Sequence, residues 1–298
     1  MINPEQEIHI AVSRKCNNNC IFCLDAGERY FKDIHPQDVE RQLKQAKKLG
    51  KKRPSFESGE PTLNSHLNQF AKLAKHYGFD NVSCTTNGRR LSYFNYARSL
   101  LIDGINQFNV SIHGSNARVH DALTRTPGSF RQTLKGIRNL NLLKKRYHFT
   151  FFVTSTITNI NLENFGGLIK LLSKFNLDRI SFNIIVPKGN ALKFFNLLIP
   201  RYSVLAEIFK KEIVKTDVDT RKKIRLFGIV PCLMEGFIDT IGVKNLVFKY
   251  DSGNEQEHPF DCKRAKRDEC RCCVYFSKCP GVPVYYISKY GWEEFKPI

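Results

Sequence analysis

Three cysteines fall within eight residues, Cys16-Asn17-Asn18-Asn19-Cys20-Ile21-Phe22-Cys23, and five more, Cys262, Cys270, Cys272, Cys273 and Cys279, crowd a later stretch with Cys232 ahead of them. Thiolates grouped this closely suit metal binding or redox chemistry. A loop that turns three thiolates inward can hold three irons of a [4Fe–4S] cluster and leave the fourth iron open to a small molecule. Zinc with a fourth ligand such as His9 or His35 is the alternative. Zinc sites more often pair cysteines at two-residue spacings, so the triplet leans toward iron. The tail cysteines admit two readings as well: an iron–sulfur cluster, or a four-cysteine zinc knuckle that only fastens the tail. Cys84, alone in an apolar run, reads as a buried small residue.

These groups need elements to position them. Ile8–Ser13, Ser55–Glu57, Asn81–Thr85, Gln107–Ile112, Phe149–Thr156 and Arg179–Val186 are rich in β-branched and aromatic residues and read as six strands. Between them Gln37–Leu49 sets Val39, Leu43, Ala46 and Leu49 on one face with Gly50 as a stop, an amphipathic helix. Leu63–Tyr77, Tyr93–Leu101, Arg131–Leu143 and Leu162–Leu172 follow the same pattern. Strands alternating with helices imply a parallel α/β sheet able to curl into a partial barrel, whose strand C-termini carry the chemistry. The first cysteine group follows the first strand. Past Gly189-Asn190 the pattern changes to a helical segment at Ser203–Val214, a basic stretch at Arg221–Arg225 and the cysteine-rich tail, which places a boundary near residue 195. Residues 1–195 are the expected barrel core and 196–298 a small C-terminal subdomain held by something other than burial.

Composition narrows the class. The chain has 298 residues, 42% of them apolar and 25% charged, which excludes disorder as the default. No apolar run is long enough for a bilayer span and no secretory pattern opens the chain, so the reading is cytoplasmic, with no membrane partner and no disulfide framework for its ten cysteines. The net charge of +19 favours anionic partners. Its densest stretch, Arg41 to Arg53, suggests RNA, although a lysine run is more often a solvated helix face.

The cysteine triplet, with Phe22 before its last member, resembles the cluster loop of the radical S-adenosylmethionine (radical SAM) enzymes, and other motifs match that family in order. Ser58-Gly59-Glu60-Pro61 resembles its glycine-glycine-glutamate motif, which holds the methionine amino group, with Ser58 in place of the first glycine. Thr85-Thr86-Asn87-Gly88 and Val110-Ser111-Ile112-His113-Gly114 match the ends of its third and fourth strands, where its serine contacts the cofactor. Thr156 with Asn161, and Val186-Pro187-Lys188-Gly189, match its fifth- and sixth-strand positions for ribose and adenine. His120-Asp121-Ala122-Leu123 and Pro127-Gly128-Ser129-Phe130 resemble a linker found among peptide-modifying members. Cys270, Cys273 and Cys279 resemble part of the auxiliary-cluster module called SPASM, or its reduced form called twitch. Pro283 stands where the full module would place a further cysteine, so a single auxiliary [4Fe–4S] cluster on Cys232, Cys270, Cys273 and Cys279 is expected, with Cys262 and Cys272 in reserve.

The resemblance implies a partial (β/α)6 TIM-like barrel carrying a [4Fe–4S] cluster on Cys16, Cys20 and Cys23. It implies S-adenosylmethionine bound by Phe22, Ser58, Gly59, Glu60, Pro61, Asn87, Ser111, Thr156, Asn161 and Val186. It further implies a reductant such as flavodoxin or ferredoxin, reductive cleavage to methionine and a 5′-deoxyadenosyl radical, and hydrogen abstraction from a substrate. No general acid or base is assigned. An acidic, ribosomally made precursor peptide is the first expectation for the substrate, weakened by the short chain ahead of Cys16. A small polar metabolite is the second and RNA the third. His113 divides evenly between a chemical role and that of a hydrogen-bonded strand-end residue. The non-enzymatic alternative is an RNA-binding protein with zinc at both cysteine groups.

Overall fold

The computed structural model describes residues 7–26, 34–242 and 263–298. Seven strands form one parallel sheet: β1 (Glu7–Ala11), β2 (Arg53–Glu57), β3 (Ser83–Thr86), β4 (Gln107–Ser111), β5 (Thr150–Ile157), β6 (Arg179–Ile184) and β7 (Ile224–Phe227). Their order in space is their order in sequence, with β1 and β7 at the open edges. Right-handed crossovers between successive parallel neighbours put every connecting helix on the same face, and strand twist then curls the sheet around the other. The helices are α1 (Pro36–Lys48), α2 (Leu67–His76), α3 (Phe94–Asp103), α4 (Ala117–Thr124), α5 (Ser129–Leu143) and α6 (Phe165–Leu172). The α1 helix shows how local signals set an element. His35 accepts a hydrogen bond from the Gln37 amide, Pro36 starts the helix, and Asp38 and Lys47-Lys48 suit the two ends of its dipole.

The six expected strands are present, and a seventh extends the expected (β/α)6 arrangement. It lies inside the basic stretch, where Ile224 and Leu226 are buried against the helices while Arg225 points the other way. Four residues of alternation beside a charge run are too short a pattern to stand out in sequence.

Parallel partners in register share a face, so pairing sorts every strand residue onto one side. The helix side is apolar: Ile8 and Ile10, Phe56, Cys84, Phe108 and Val110, Phe151 and Val153, Ile180 and Phe182, Ile224 and Leu226 all belong to one core. The concave side is mainly polar, with Phe152 and Phe227 among its apolar members. Glu7 and His9 pair with Arg53 and Ser55, Ser83 and Thr85 with Gln107 and Asn109, Ser111 with Thr154, and Thr154 and Thr156 with Ser181 and Asn183. The lower end is plugged by charges, with Arg53 bonded to Gln107 at 3.1 Å and Arg179 stacked 3.8 Å over the Phe152 ring.

After β6 the helix Tyr202–Val214 packs on α6, and the tail docks on that helix. Arg264–Ala265 pairs antiparallel with Val282–Pro283, followed by the helix Val284–Tyr290. Tyr286 is fully buried, its ring 4.2 Å from that of Tyr202, and its hydroxyl accepts from the Tyr202 amide (2.8 Å) while donating to Glu294 (2.5 Å). The tail tyrosines therefore fasten tail to barrel, Tyr285 reaching the Ile185 carbonyl at 3.3 Å. Tyr286→Phe leaves a buried amide and a carboxylate short of a partner, which costs about 1–3 kcal/mol. A lowered thermal midpoint with the fold retained is the expected result; an unchanged midpoint would count against this anchor.

Candidate functional site

The Cys16–Cys23 loop leaves the C-terminal end of β1 and has little regular structure of its own, so its shape comes from neighbours. The Asn18 amide turns back on Cys16 Sγ at 3.4 Å, and the Cys23 amide donates to the Cys20 carbonyl at 3.2 Å. The amides of Asn19 and Ile21 donate to the carbonyls of Thr124 and Leu123 at the end of α4, both at 2.9 Å. Arg125 forks onto the Asn19 carbonyl (2.6 Å) and side chain (2.9 Å). Arg89, just past β3, reaches the Asn17 carbonyl and the Asn18 side chain (3.0 Å). Asn190 holds the far end through the carbonyls of Cys23 (2.9 Å) and Cys20 (3.2 Å). All three thiols are left half-buried and free of disulfides.

The loop after β2 locks against this one. Ser58 and Gly59 both take positive φ, +70° and +55°. A side chain at Gly59 would run into the Lys15 carbonyl, which accepts instead from the Glu60 amide at 2.7 Å. Ser58 occupies a conformation suited to glycine, at a cost of about 1 kcal/mol. Glu60 is buried with four hydrogen bonds on its carboxylate: the Thr62 amide (3.1 Å) and hydroxyl (2.6 Å), the Thr86 hydroxyl (2.5 Å) and the Asn87 amide (2.7 Å). Burial pushes this carboxyl above the ordinary carboxylate range, and those bonds pull it back. Pro61 opens the short turn that follows.

The other expected cofactor positions stand at the same rim. The Asn87 side chain donates to Asn17 Oδ1 at 2.6 Å and lies 4.0 Å from Cys16 Sγ. Ser111 ends β4, and Val186 lies just past β6. Thr156 donates its amide to His113 Nδ1 at 3.1 Å, which places the imidazole proton on Nε2. Burial holds His113 well below the usual histidine range, and the Phe22 ring meets it edge-on at 4.7 Å. Asn161 uses its whole amide internally, donating to the His113 and Thr156 carbonyls (2.9 and 2.8 Å) and accepting from the Thr158 amide (2.8 Å) and hydroxyl (3.2 Å). That geometry ties the ends of β4 and β5 together. His9 pairs with Glu57 at 2.8 Å, and His35 caps α1.

Cys232, Cys270, Cys273 and Cys279 line one apolar cavity, together with Val230, Phe276, Val282, Trp292 and Phe295 among others. Burial first, then the neighbouring thiols of Cys279, Cys273 and Cys270, push Cys232 up to about 11. Cys272 is exposed and donates to the Glu269 carbonyl at 3.0 Å, and Cys262 lies outside the described residues. A single zinc ion draws thiolates to about 3.8 Å of each other, as tetrahedral bonds of about 2.3 Å require. The all-thiol donor set with its apolar walls also suits a four-iron cluster.

The strand alternation that gives the largely polar lumen is present in the sequence. Arg89 and Arg125 were missed because no local pattern marks them.

A family model described as the radical SAM superfamily matches residues 10–173. Curated relatives include a probable GTP 3′,8-cyclase of Thermococcus kodakarensis, 32% identical over 136 residues covering 45% of this chain and 43% of the relative. An AdoMet-dependent heme synthase of Methanosarcina barkeri is 26% identical over 191 residues, covering 63% and 53% respectively. The chain spans about half the length of the curated relatives it matches. Among solved structures, Streptococcus suis SuiB bound to precursor peptide SuiA aligns with a TM-score of 0.58 at 18% identity, covering 70% of this chain and 46% of SuiB. The structure of anSMEcpe with AdoMet and the Cp18Cys peptide gives 0.57 at 16%, covering 73% and 62%. At such identities the likeness establishes the shared fold.

A methyl group at Gly189, φ +58°, would overlap the carbonyls of Cys23 and Leu24, whereas one at Gly128, φ +82°, would meet nothing. Gly128→Ala therefore carries only a backbone cost of about 1 kcal/mol, and Gly189→Ala costs at least about 2 kcal/mol. Chemical unfolding of the two variants checks the difference, and equal losses would contradict the clamp on the cysteine loop.

Proposed function

The chain belongs to the radical SAM superfamily, an enzyme that uses a [4Fe–4S] cluster and S-adenosylmethionine, and from that premise we propose that Cys16, Cys20 and Cys23 hold the cluster and that the substrate is a small polar molecule seated in the barrel lumen. When bound, the cluster supplies the electron that cleaves S-adenosylmethionine to methionine and a 5′-deoxyadenosyl radical. The protein's own residues do the rest. Glu60 offers a buried carboxylate to the methionine ammonium, whose charge offsets the burial that raises its pKa. Ser58, Gly59 and Pro61 shape the backbone beside it, and Asn87 bridges that loop to Asn17. Phe22 backs the cysteine loop against His113. Ser111, Thr156 and Val186 line the rim where the nucleoside would lie, and Asn161 keeps that rim in register. The four thiols around the tail cavity would hold an auxiliary cluster, which would supply electron-accepting chemistry there.

The observation that carries the substrate reading is the lumen. A face lined by Ser55, Ser83, Asn109, Ser111, Thr154, Ser181 and Asn183, with Phe152 and Phe227 among its apolar members, offers mainly hydrogen-bonding groups and so favours a polar molecule. Among the described residues the buried Ser181 hydroxyl and Asn183 Oδ1 have no hydrogen-bond partner. A precursor peptide is the second reading, supported by the net charge of +19, which suits an acidic segment. RNA has less support, because Arg53 turns into the lumen and Lys47 is tied to the Gly78 carbonyl at 2.9 Å.

Anaerobically reconstituted protein given dithionite and S-adenosylmethionine tests the substrate. GTP, as a small polar probe, is expected to raise 5′-deoxyadenosine output severalfold over an acidic peptide at low salt; stimulation by the peptide alone would overturn the small-molecule reading. Iron counts test the ligands. The triple Cys16→Ala, Cys20→Ala, Cys23→Ala variant keeps about four irons per chain, as one intact [4Fe–4S] centre requires. Cys272→Ser changes nothing, whereas Cys232→Ser lowers the count. An iron-free triple variant would refute a separate auxiliary site.

A further inference from the structure

The three asparagines between Cys16 and Cys20 have no motif role, yet each is gripped from outside the loop. We infer that Arg89 and Arg125 are positioning residues for the Cys16–Cys23 loop: their guanidinium groups fix its asparagines in the metal-binding form and set two permanent positive charges beside the cluster. This rests on the cluster assignment above.

Three observations support it. The first is geometric. Arg125 spends two donors on one residue, the carbonyl and the side chain of Asn19, the forked contact that only guanidinium makes. Arg89 reaches the Asn17 carbonyl and Asn18 Oδ1 from one nitrogen and braces itself through Nε on Gln132 of α5 at 2.6 Å. Its backbone amide is fixed by Asn87 Oδ1 at 3.0 Å, and Asn87 in turn donates to Asn17. The second is conformational. Arg125 caps α4 with φ +48°, a left-handed position usually given to glycine, at a cost of about 1 kcal/mol. That strained cap carries the fork onto Asn19, and strain of this kind concentrates at functional positions. The third is electrostatic. Among the described residues neither arginine forms an ion pair, so each guanidinium gives its hydrogen bonds to neutral acceptors of the loop and of α5. His120, which faces Arg89, is held neutral with its pKa lowered to about 4, first by burial, and adds no charge.

Net charge and hydrogen bonds near the sulfurs set a cluster's reduction potential. Positive charge fixed beside the loop favours the reduced form, the one that can deliver an electron. Charge and grip separate by substitution: lysine keeps the charge and loses the fork, whereas glutamine loses both.

The test compares wild-type protein with Arg89→Lys/Arg125→Lys and Arg89→Gln/Arg125→Gln, reading iron loss under a chelator and the midpoint potential of the signal that shifts on adding S-adenosylmethionine. Both double variants are expected to lose that cluster at least tenfold faster. Only the glutamine pair is expected to lower the reduced-to-oxidised ratio at fixed potential, by about tenfold, equivalent to about 59 mV for one electron. If the glutamine pair does not fold, each single lysine variant still reads the grip. Wild-type iron loss and potential in every folded variant would overturn the inference. Iron content unchanged by the triple cysteine-to-alanine substitution would instead overturn the cluster assignment, and this inference with it.

Discussion

The structure depends on holding a loop that cannot hold itself. Eight residues from Cys16 to Cys23 must present three thiols in one fixed arrangement, with little regular secondary structure to do so. Their partners come from the loops after β3 and β6 and from the end of α4, segments distant in sequence, while the loop after β2 holds Lys15 just ahead of them. A sequentially ordered parallel sheet answers this need, because every strand delivers its C-terminal end to the same rim. Curling brings the loops after β1 and β6 within hydrogen-bond distance, where Gly189 can lie against Cys23 only because it lacks a side chain.

The same curl creates the second feature, a polar interior. Strand alternation sends apolar residues outward to the helices and hydroxyl, amide and charged groups inward. The charged lower end closes the barrel, and the upper end leaves Ser181 and Asn183 with unmet hydrogen-bonding capacity. Buried polar groups without partners are costly, so a lumen of this kind is more stable with a hydrogen-bonding ligand in place. The tail adds an apolar cavity lined by four thiols and joins the barrel's core through Val282, Tyr286 and Phe295.

Local patterns were legible in the sequence and long-range ones were not. Glu60 and the cysteine triplet stood out because their residue types and spacings are local to one loop. The first six strands stood out through their β-branched and aromatic content, and β7 did not because its four residues sit beside Arg221, Lys222 and Lys223. Only backbone direction separates Cys272, which faces solvent, from Cys273, which lines the cavity. Asn161 could be located at the rim but not oriented, and its amide proves to be spent on the His113 and Thr156 carbonyls. Arg89 and Arg125 act across tens of residues and carry no periodic signal, so only the fold exposes them.

The most direct test is S-adenosylmethionine cleavage by anaerobically purified and reconstituted protein, with dithionite as reductant and 5′-deoxyadenosine measured by chromatography. The account predicts 5′-deoxyadenosine from wild-type protein and none from the variant lacking Cys16, Cys20 and Cys23. Equal output from the two proteins, or none from iron-loaded wild type, would contradict it.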